Sequence, residues 1–365
     1  MTIMLSLLLR ALLLTSLVWA APVPDKASEG DSCPDVPYYT LEEHWLSPSL
    51  SQMFLASPQN QLFGANMVAP KLQEIGPNRI ADMNANNIKI QIISHVPVPE
   101  VLSEPAACRT ANDELASAIA ASPAPARFRG FCILPMALPE DAAEELRRCV
   151  TANKFVGALM DAHLGNQSFY DGPAYDPLWA AATSLGVPIY LHPTYPKLED
   201  VTAVGTGLYA PAVEGGYTPA QAETLALTAW GWHERTGMAF LRLYLAGVFD
   251  RHPELQVVLG HMGEMVPFFL ERSDFYLSRR RQKTLGSVYA NNVYITTSGM
   301  FSLNPASTIV RNTARSRIMY SVDWPLASNA DGAAFMSALR SSCLVSQSEF
   351  TQIAYRNAAR LLNLE

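Results

Sequence analysis

Apolar residues along the chain fall into short, nearly unbroken runs, separated by longer stretches with apolar positions at helical spacing. The runs cover residues 36–41, 88–93, 128–136, 155–160, 187–191, 255–259, 293–297 and 318–322. They do not alternate apolar with polar residues. Strands covered on both faces read this way, as in a parallel sheet. The helical patterns between and after them cover 71–86, 111–121, 139–150, 175–185, 220–249, 266–278, 306–312, 331–339 and 348–362. The 139–150 segment carries Glu140, Asp141 and Glu144 early and Arg147 and Arg148 late, which suits the helix dipole. Residues 47–70 and 194–218 lack periodicity and read as long loops. Eight strand–helix units over 36–365 predict one α/β domain, a (β/α)8 barrel. The competing doubly wound sheet has no support as a nucleotide binder, since neither GxGxxG nor GxxxxGK[ST] occurs.

Several strand patterns end in residue types that hold metal ions. The first runs into Leu41-Glu42-Glu43-His44-Trp45, where Glu42 and His44, two apart on a strand, point to the same side. The fourth ends at Asp161, the fifth at His192, the sixth at His261 and the eighth at Asp323. In a closed barrel these carboxyl ends share one rim. Carboxylates mixed with imidazoles suit zinc, manganese or iron(II) rather than calcium. Glu264, three residues after His261, is placed to orient its ring. His252 sits in a turn and reads as structural, His233 as pocket wall in an aromatic-rich helix, and His95 and His163 as mouth residues outside the metal shell.

Composition narrows the classes of partner. The chain has 365 residues, is 49% hydrophobic and 16% charged, and carries a formal charge of −7. Basic residues are not clustered, so nucleic acid is not an expected partner. Residues 1–20, with Arg10, an apolar run to Trp19 and Val18-Trp19-Ala20 before Ala21-Pro22, read as a cleaved secretory signal peptide. No membrane association is expected once it is removed. Residues 21–35 read as a flexible arm. Asn166-Gln167-Ser168 is a glycosylation sequon. Five cysteines leave at least one thiol unpaired. Cys149 falls on the core side of its helix, and the pairing of Cys33 with Cys108 or Cys343 stays open.

The motifs together resemble the decarboxylase branch of the amidohydrolase superfamily, which includes γ-resorcylate, 2,3-dihydroxybenzoate and aminocarboxymuconate-semialdehyde decarboxylases. The likeness, nearest to the γ-resorcylate type, rests on Leu41-Glu42-Glu43-His44, Phe155-Val156-Gly157-Ala158-Leu159, Phe169-Tyr170-Asp171, Tyr190-Leu191-His192-Pro193, Phe249-Asp250-Arg251-His252-Pro253, Gly260-His261-Met262-Gly263-Glu264, Ile295-Thr296-Thr297-Ser298-Gly299 and Asp323-Trp324-Pro325. It implies that Glu42, His44, His192 and Asp323 hold one divalent ion, Zn²⁺ or Mn²⁺, and that His261 and Glu264 form a dyad beside the substrate. It also implies that Arg272 lies near substrate or a subunit contact, and that the chain forms a homo-oligomer, a dimer or tetramer. Asp161 departs from the Asn of the γ-resorcylate enzymes, and His233 and the 194–218 loop differ too; these are expected at the substrate pocket.

The activity so implied is nonoxidative release of CO2 from a small aromatic carboxylate of the hydroxybenzoate or salicylate type, with Asp323 as acid and His261 and Glu264 assisting. The alternative is a metal-dependent amidohydrolase or lactonase that activates water. Glu-x-His in place of His-x-His on the first strand, and the absence of a lysine ending the fourth, favour the decarboxylase.

Overall fold

A computed structural model describes residues 36–62, 69–165, 167–279 and 281–364. The expected signal peptide and arm, Cys33 and Asn166 of the sequon therefore lie outside the described residues. Eight parallel strands form in the expected order: β1 (Tyr38–Trp45), β2 (Ile88–His95), β3 (Phe128–Gly130), β4 (Ala158–Asp161), β5 (Ile189–His192), β6 (Val257–Leu259), β7 (Val293–Thr296) and β8 (Ile318–Met319). They pair consecutively as β1-β2-β3 and β4-β5-β6-β7-β8. Two single bridges join these sheets, Cys132 to Ala158 and Glu43 to Trp324, and so close the barrel.

Inward-facing side chains sort by height. The lower barrel is filled by Leu41, Ile90, Ile92, Phe131, Leu159, Val258 and Met319, and is closed below by Ala358, Ala359, Leu361 and Leu362 of the last helix. Tyr190, Val258 and Tyr294 lie level across β5, β6 and β7, and two residues beyond them come His192, Gly260 and Thr296. A second, larger apolar layer packs between the strands and the surrounding helices. β1 shifts register between Thr40 and Glu43. The backbone N–H groups of Leu41 and Glu42 there both donate to Ser321 Oγ, at 3.0 and 2.8 Å. This bulge lets Leu41 and Glu42 both face inward, a device common beside active sites.

Four expectations need correction. Residues 47–70 are not all loop: Pro48–Ala56 and Pro58–Leu62 are helices, each opened by a proline whose missing N–H costs nothing at a helix start. The 71–86 pattern splits into Ala69–Leu72 and Pro77–Ala85 around Gly76-Pro77. The 220–249 helix is broken: Pro219–Thr224 runs into a widened turn at Leu225–Ala229 with Leu227 outside helical geometry, then Gly231–Leu245 follows, and left-handed Gly247 precedes Val248–Arg251. Finally, the disulfide among the described residues joins Cys132 to Cys149, while Cys108 is a buried free thiol and Cys343 an exposed one. It ties the helix Pro139–Thr151 to the β3–β4 seam. No helix among the described residues is long and apolar enough to cross a membrane.

Candidate metal centre

The carboxyl ends of β1, β5 and β8 bring Glu42, His44, His192 and Asp323 together, with ligand-type atoms all within 4.8 Å of one another. His44 Nε2 stands 3.0 Å from Asp323 Oδ1, and His192 Nε2 stands 3.2 Å from Glu42 Oε1. Glu42 Oε1, His44 Nε2 and Asp323 Oδ1 are buried, yet none has a hydrogen-bond partner. Buried polar atoms left unpaired are costly. Here they share one focus, which fits the donor set of a single divalent cation, with two carboxylate oxygens and two imidazole nitrogens.

The remaining polar atoms of these side chains are held from outside. His192 Nδ1 donates to the Pro193 carbonyl at 2.6 Å, which leaves Nε2 as the free lone pair facing Glu42. Ser94 Oγ lies 3.5 Å from His44 Nδ1. The Tyr190 hydroxyl donates to Glu42 Oε2 and also meets Thr296 Oγ1 at 2.7 Å and Ser298 Oγ at 3.2 Å. Gly260 is required here, because a Cβ would stand 2.7 Å from Glu42 Oε2. Glu43 faces away from the cluster. It accepts from the backbone N–H of Val322 and Trp324, at 3.1 and 3.2 Å, and from Ser321 Oγ at 3.2 Å, which ties β1 to the segment carrying Asp323. Buried Arg79 stacks 4.0 Å over Trp324 and donates to the His44 carbonyl at 3.0 Å.

Beside the cluster stands the dyad. His261 Nε2 is 3.7 Å from Glu42 Oε1 and 3.6 Å from Asp323 Oδ2, while its Nδ1 is 2.7 Å from Glu264 Oε1. His261, Met262, Glu264 and Met265 all have positive φ, as does Asp323 at 74°. Non-glycine residues in that region concentrate at functional sites. Charge balance follows the geometry. Burial opposes the ionised form of Glu42, but His261, His192 and His44 outweigh it and hold the carboxyl well below the usual range. Burial likewise disfavours a charged His261, yet Glu42, Glu264 and Asp323 raise its imidazole well above the ordinary value.

The other expected site residues fall at different distances from this centre. Asp161 is buried at the end of β4, level with His192, and accepts from Thr194 Oγ1 at 3.1 Å. Burial, partly offset by His192, pushes its carboxyl up to about 7. His233 shares with His261 the wall of a cavity of about 320 Å³ otherwise lined by Ala229, Trp230, Met265, Phe268, Phe269 and Met300. Arg272 is not brought to the cluster. It lies exposed on the helix Leu270–Leu277, 5.3 Å over the Tyr276 ring. His95 and His163 are buried outside the four-residue cluster, and His252 faces Asp176 at 3.4 Å in its turn. Tyr190 was not singled out for a role, although its position two residues before His192 already put its hydroxyl on the ligand face.

Comparison with known proteins places this arrangement in a group. Residues 93–364 match the model of the amidohydrolase family. The chain is 41% identical over 333 residues to a protein named decarboxylase orsB from Emericella nidulans, covering 90% of this chain and 97% of that one. It is similar in structure to 2,6-dihydroxybenzoate decarboxylase from Rhizobium, with TM-score 0.75 and 29% identity over 90% of this chain and 99% of the other. It is also similar to a dihydroxybenzoic acid decarboxylase from Polaromonas sp. with bound manganese and the inhibitor 2-nitroresorcinol, with TM-score 0.74 and 28% identity over 90% and 97%. Both the barrel with its rim of metal ligands and the sequence likeness over nine-tenths of the chain lead to one assignment: the chain belongs to the amidohydrolase family.

Proposed function

We propose that the protein is a metal-dependent, nonoxidative decarboxylase of a hydroxybenzoate- or salicylate-type acid. The observation that carries this reading is the single ligand set, Glu42, His44, His192 and Asp323, with the His261–Glu264 dyad beside it. The β1 pair is Glu-x-His, and β4 ends in Asp161 rather than a lysine that would bridge a second ion. The manganese of the Polaromonas relative supports Mn²⁺ as the ion, with Zn²⁺ the other candidate for these donors.

A divalent ion held by the four side chains would supply concentrated positive charge, favouring the ionised form of a phenol ortho to the substrate's carboxylate. The chain's own groups account for the rest. The ring carbon bearing the carboxylate must gain a proton before the C–C bond breaks, or a bare carbanion would form. Asp323 faces His44 of the cluster through Oδ1 and His261 through Oδ2, so Asp323 is the proposed acid, and His261, anchored by Glu264, returns the proton to it. The C–C electron pair then restores the aromatic ring as CO2 leaves, so one proton is consumed and one CO2 released. Cavity walls of Trp230, Phe268, Phe269, Met265 and Met300 suit an aromatic ring. Asp161 at the mouth is proposed to contact the ring substituents.

Two further proposals concern the chain's setting. Residues 1–20 are a signal peptide that sends the protein to the secretory pathway, and 36–365 form the catalytic domain. The Cys132–Cys149 disulfide supports an oxidising compartment. The chain also works as a dimer or tetramer, which the exposed Phe268, Phe269, Phe275 and Tyr276 around Arg272 support. N-terminal sequencing of the exported protein and its solution mass check these. For the activity, purified protein is incubated with a panel of salicylate-type acids, with and without chelator, following CO2 and phenol. Chelator-sensitive CO2 release is the expected result. Chelator-sensitive cleavage of an ester or amide without CO2 would replace this reading with the hydrolase.

A further inference from the structure

The dyad has a third member. Glu264 is buried, and its two carboxylate oxygens are divided between two imidazoles: Oε1 meets His261 Nδ1 at 2.7 Å, and Oε2 meets His233 Nδ1 at 2.8 Å. His233 is committed at its other end too, since Nε2 lies 3.1 Å from the Thr228 carbonyl. Carbonyl and carboxylate oxygens only accept, so each ring nitrogen of His233 donates in its contact. The two rings stand 4.7 Å apart between centroids, tilted by 54°, and both line the cavity.

The surrounding backbone is shaped for this contact. The widened turn at Leu225–Ala229, with Leu227 at φ −106° and ψ −111°, carries Thr228. It presents the Thr228 carbonyl to a ring five residues on rather than to the ladder of a straight helix. Further along, Gly237 has no room for a side chain, because a Cβ would collide with the Glu264 carbonyl. The helix Gly231–Leu245 is thus pressed against the loop that follows β6. A chain of contacts runs from the helix break through Thr228, His233 and Glu264 to His261, whose Nε2 faces the metal-binding carboxylates.

We infer that His233 is a positioning residue for the reaction: by holding the second oxygen of Glu264 it fixes the carboxylate, and through it the ring of His261, in the orientation that faces Asp323. This deepens the decarboxylase reading and rests on it for its kinetic arm alone. Removing such an outer partner of a catalytic imidazole typically costs about 10–100-fold in activity.

Two polar substitutions separate the contacts. In His233→Asn the amide nitrogen falls near the place of Nδ1 and keeps the Glu264 contact. In His233→Gln the amide reaches the place of Nε2, keeps Thr228 and gives up Glu264. The full chain, loaded with diamagnetic Zn²⁺, is labelled with ¹⁵N-histidine, and the His261 ring signals are assigned by their loss in His261→Gln. The expected result is a clear change in the His261 signals in His233→Gln and little change in His233→Asn. With a hydroxybenzoate substrate, kcat falls about tenfold in His233→Gln, KM stays near that of the wild type, and His233→Asn recovers most of the rate. Unchanged His261 signals in His233→Gln, or equal loss in both variants, would overturn the inference. Absence of CO2 release by the wild type would overturn the decarboxylase reading, and the ring spectrum would still decide the role of His233.

Discussion

The inside of the barrel holds two layers built by the same strands. Ile92, Phe131, Leu159, Val258 and Met319 fill the lower layer with hydrocarbon. One step up, Glu42, His192, Thr296 and Asp323 replace hydrocarbon with carboxylate, imidazole and hydroxyl, all of them buried, and the Tyr190 hydroxyl reaches them from the level of Val258. The lower layer is satisfied by packing alone. In the upper layer Glu42 Oε1, His44 Nε2 and Asp323 Oδ1 are left facing one another without hydrogen bonds. The contrast separates two demands on one scaffold: the lower layer supplies stability, and the upper layer gives some of it up to keep a cation site ready.

The sharpest way to break that contrast is to remove a ligand. His192→Ala is expected to abolish CO2 release and to leave the purified protein without its ion by metal analysis, while circular dichroism stays native. Asp323→Asn is expected to lower kcat by about 10²–10⁴-fold while the ion stays largely bound, because the amide keeps an oxygen donor but holds no acidic proton. A smaller effect is expected at the hydroxyl that steadies Glu42: Tyr190→Phe should weaken metal affinity by about 10–100-fold, read by competition with a chelator. The smallest effect on chemistry is expected from the lower layer. Ile92→Ala should lose about 2–5 kcal/mol of stability in denaturant unfolding, with the rate per folded, metal-loaded molecule unchanged. Activity loss in Ile92→Ala at full folding would erase the division between the layers.

Much of the upper layer was legible because five of the eight apolar runs lead into a ligand-type residue, and strand geometry sends such ends to one rim. The Glu42–His44 pair followed from a spacing of two, and Glu264 from its place three residues after His261. Tyr190 hid inside an apolar strand, where a tyrosine is ordinary packing. The His233–Glu264 contact joins residues 31 apart and depends on a helix broken at Leu227, with neither glycine nor proline at the break itself. The Cys132–Cys149 pair joins the seam beyond β3 to the last turn of a helix, a proximity that only the packing of that helix on the seam creates. Arg272, matched by family likeness, stands exposed on the outer surface of this chain, over Tyr276 and outside the cluster.

The central claim is that Glu42, His44, His192 and Asp323 hold one ion on which turnover depends. The most direct measurement strips the wild-type protein of metal, adds Mn²⁺ back in fractions of an equivalent, and follows bound metal and CO2 release from a dihydroxybenzoate together. The account expects both to rise in step and level off at one ion per chain. Full turnover by protein verified to be free of metal would contradict it.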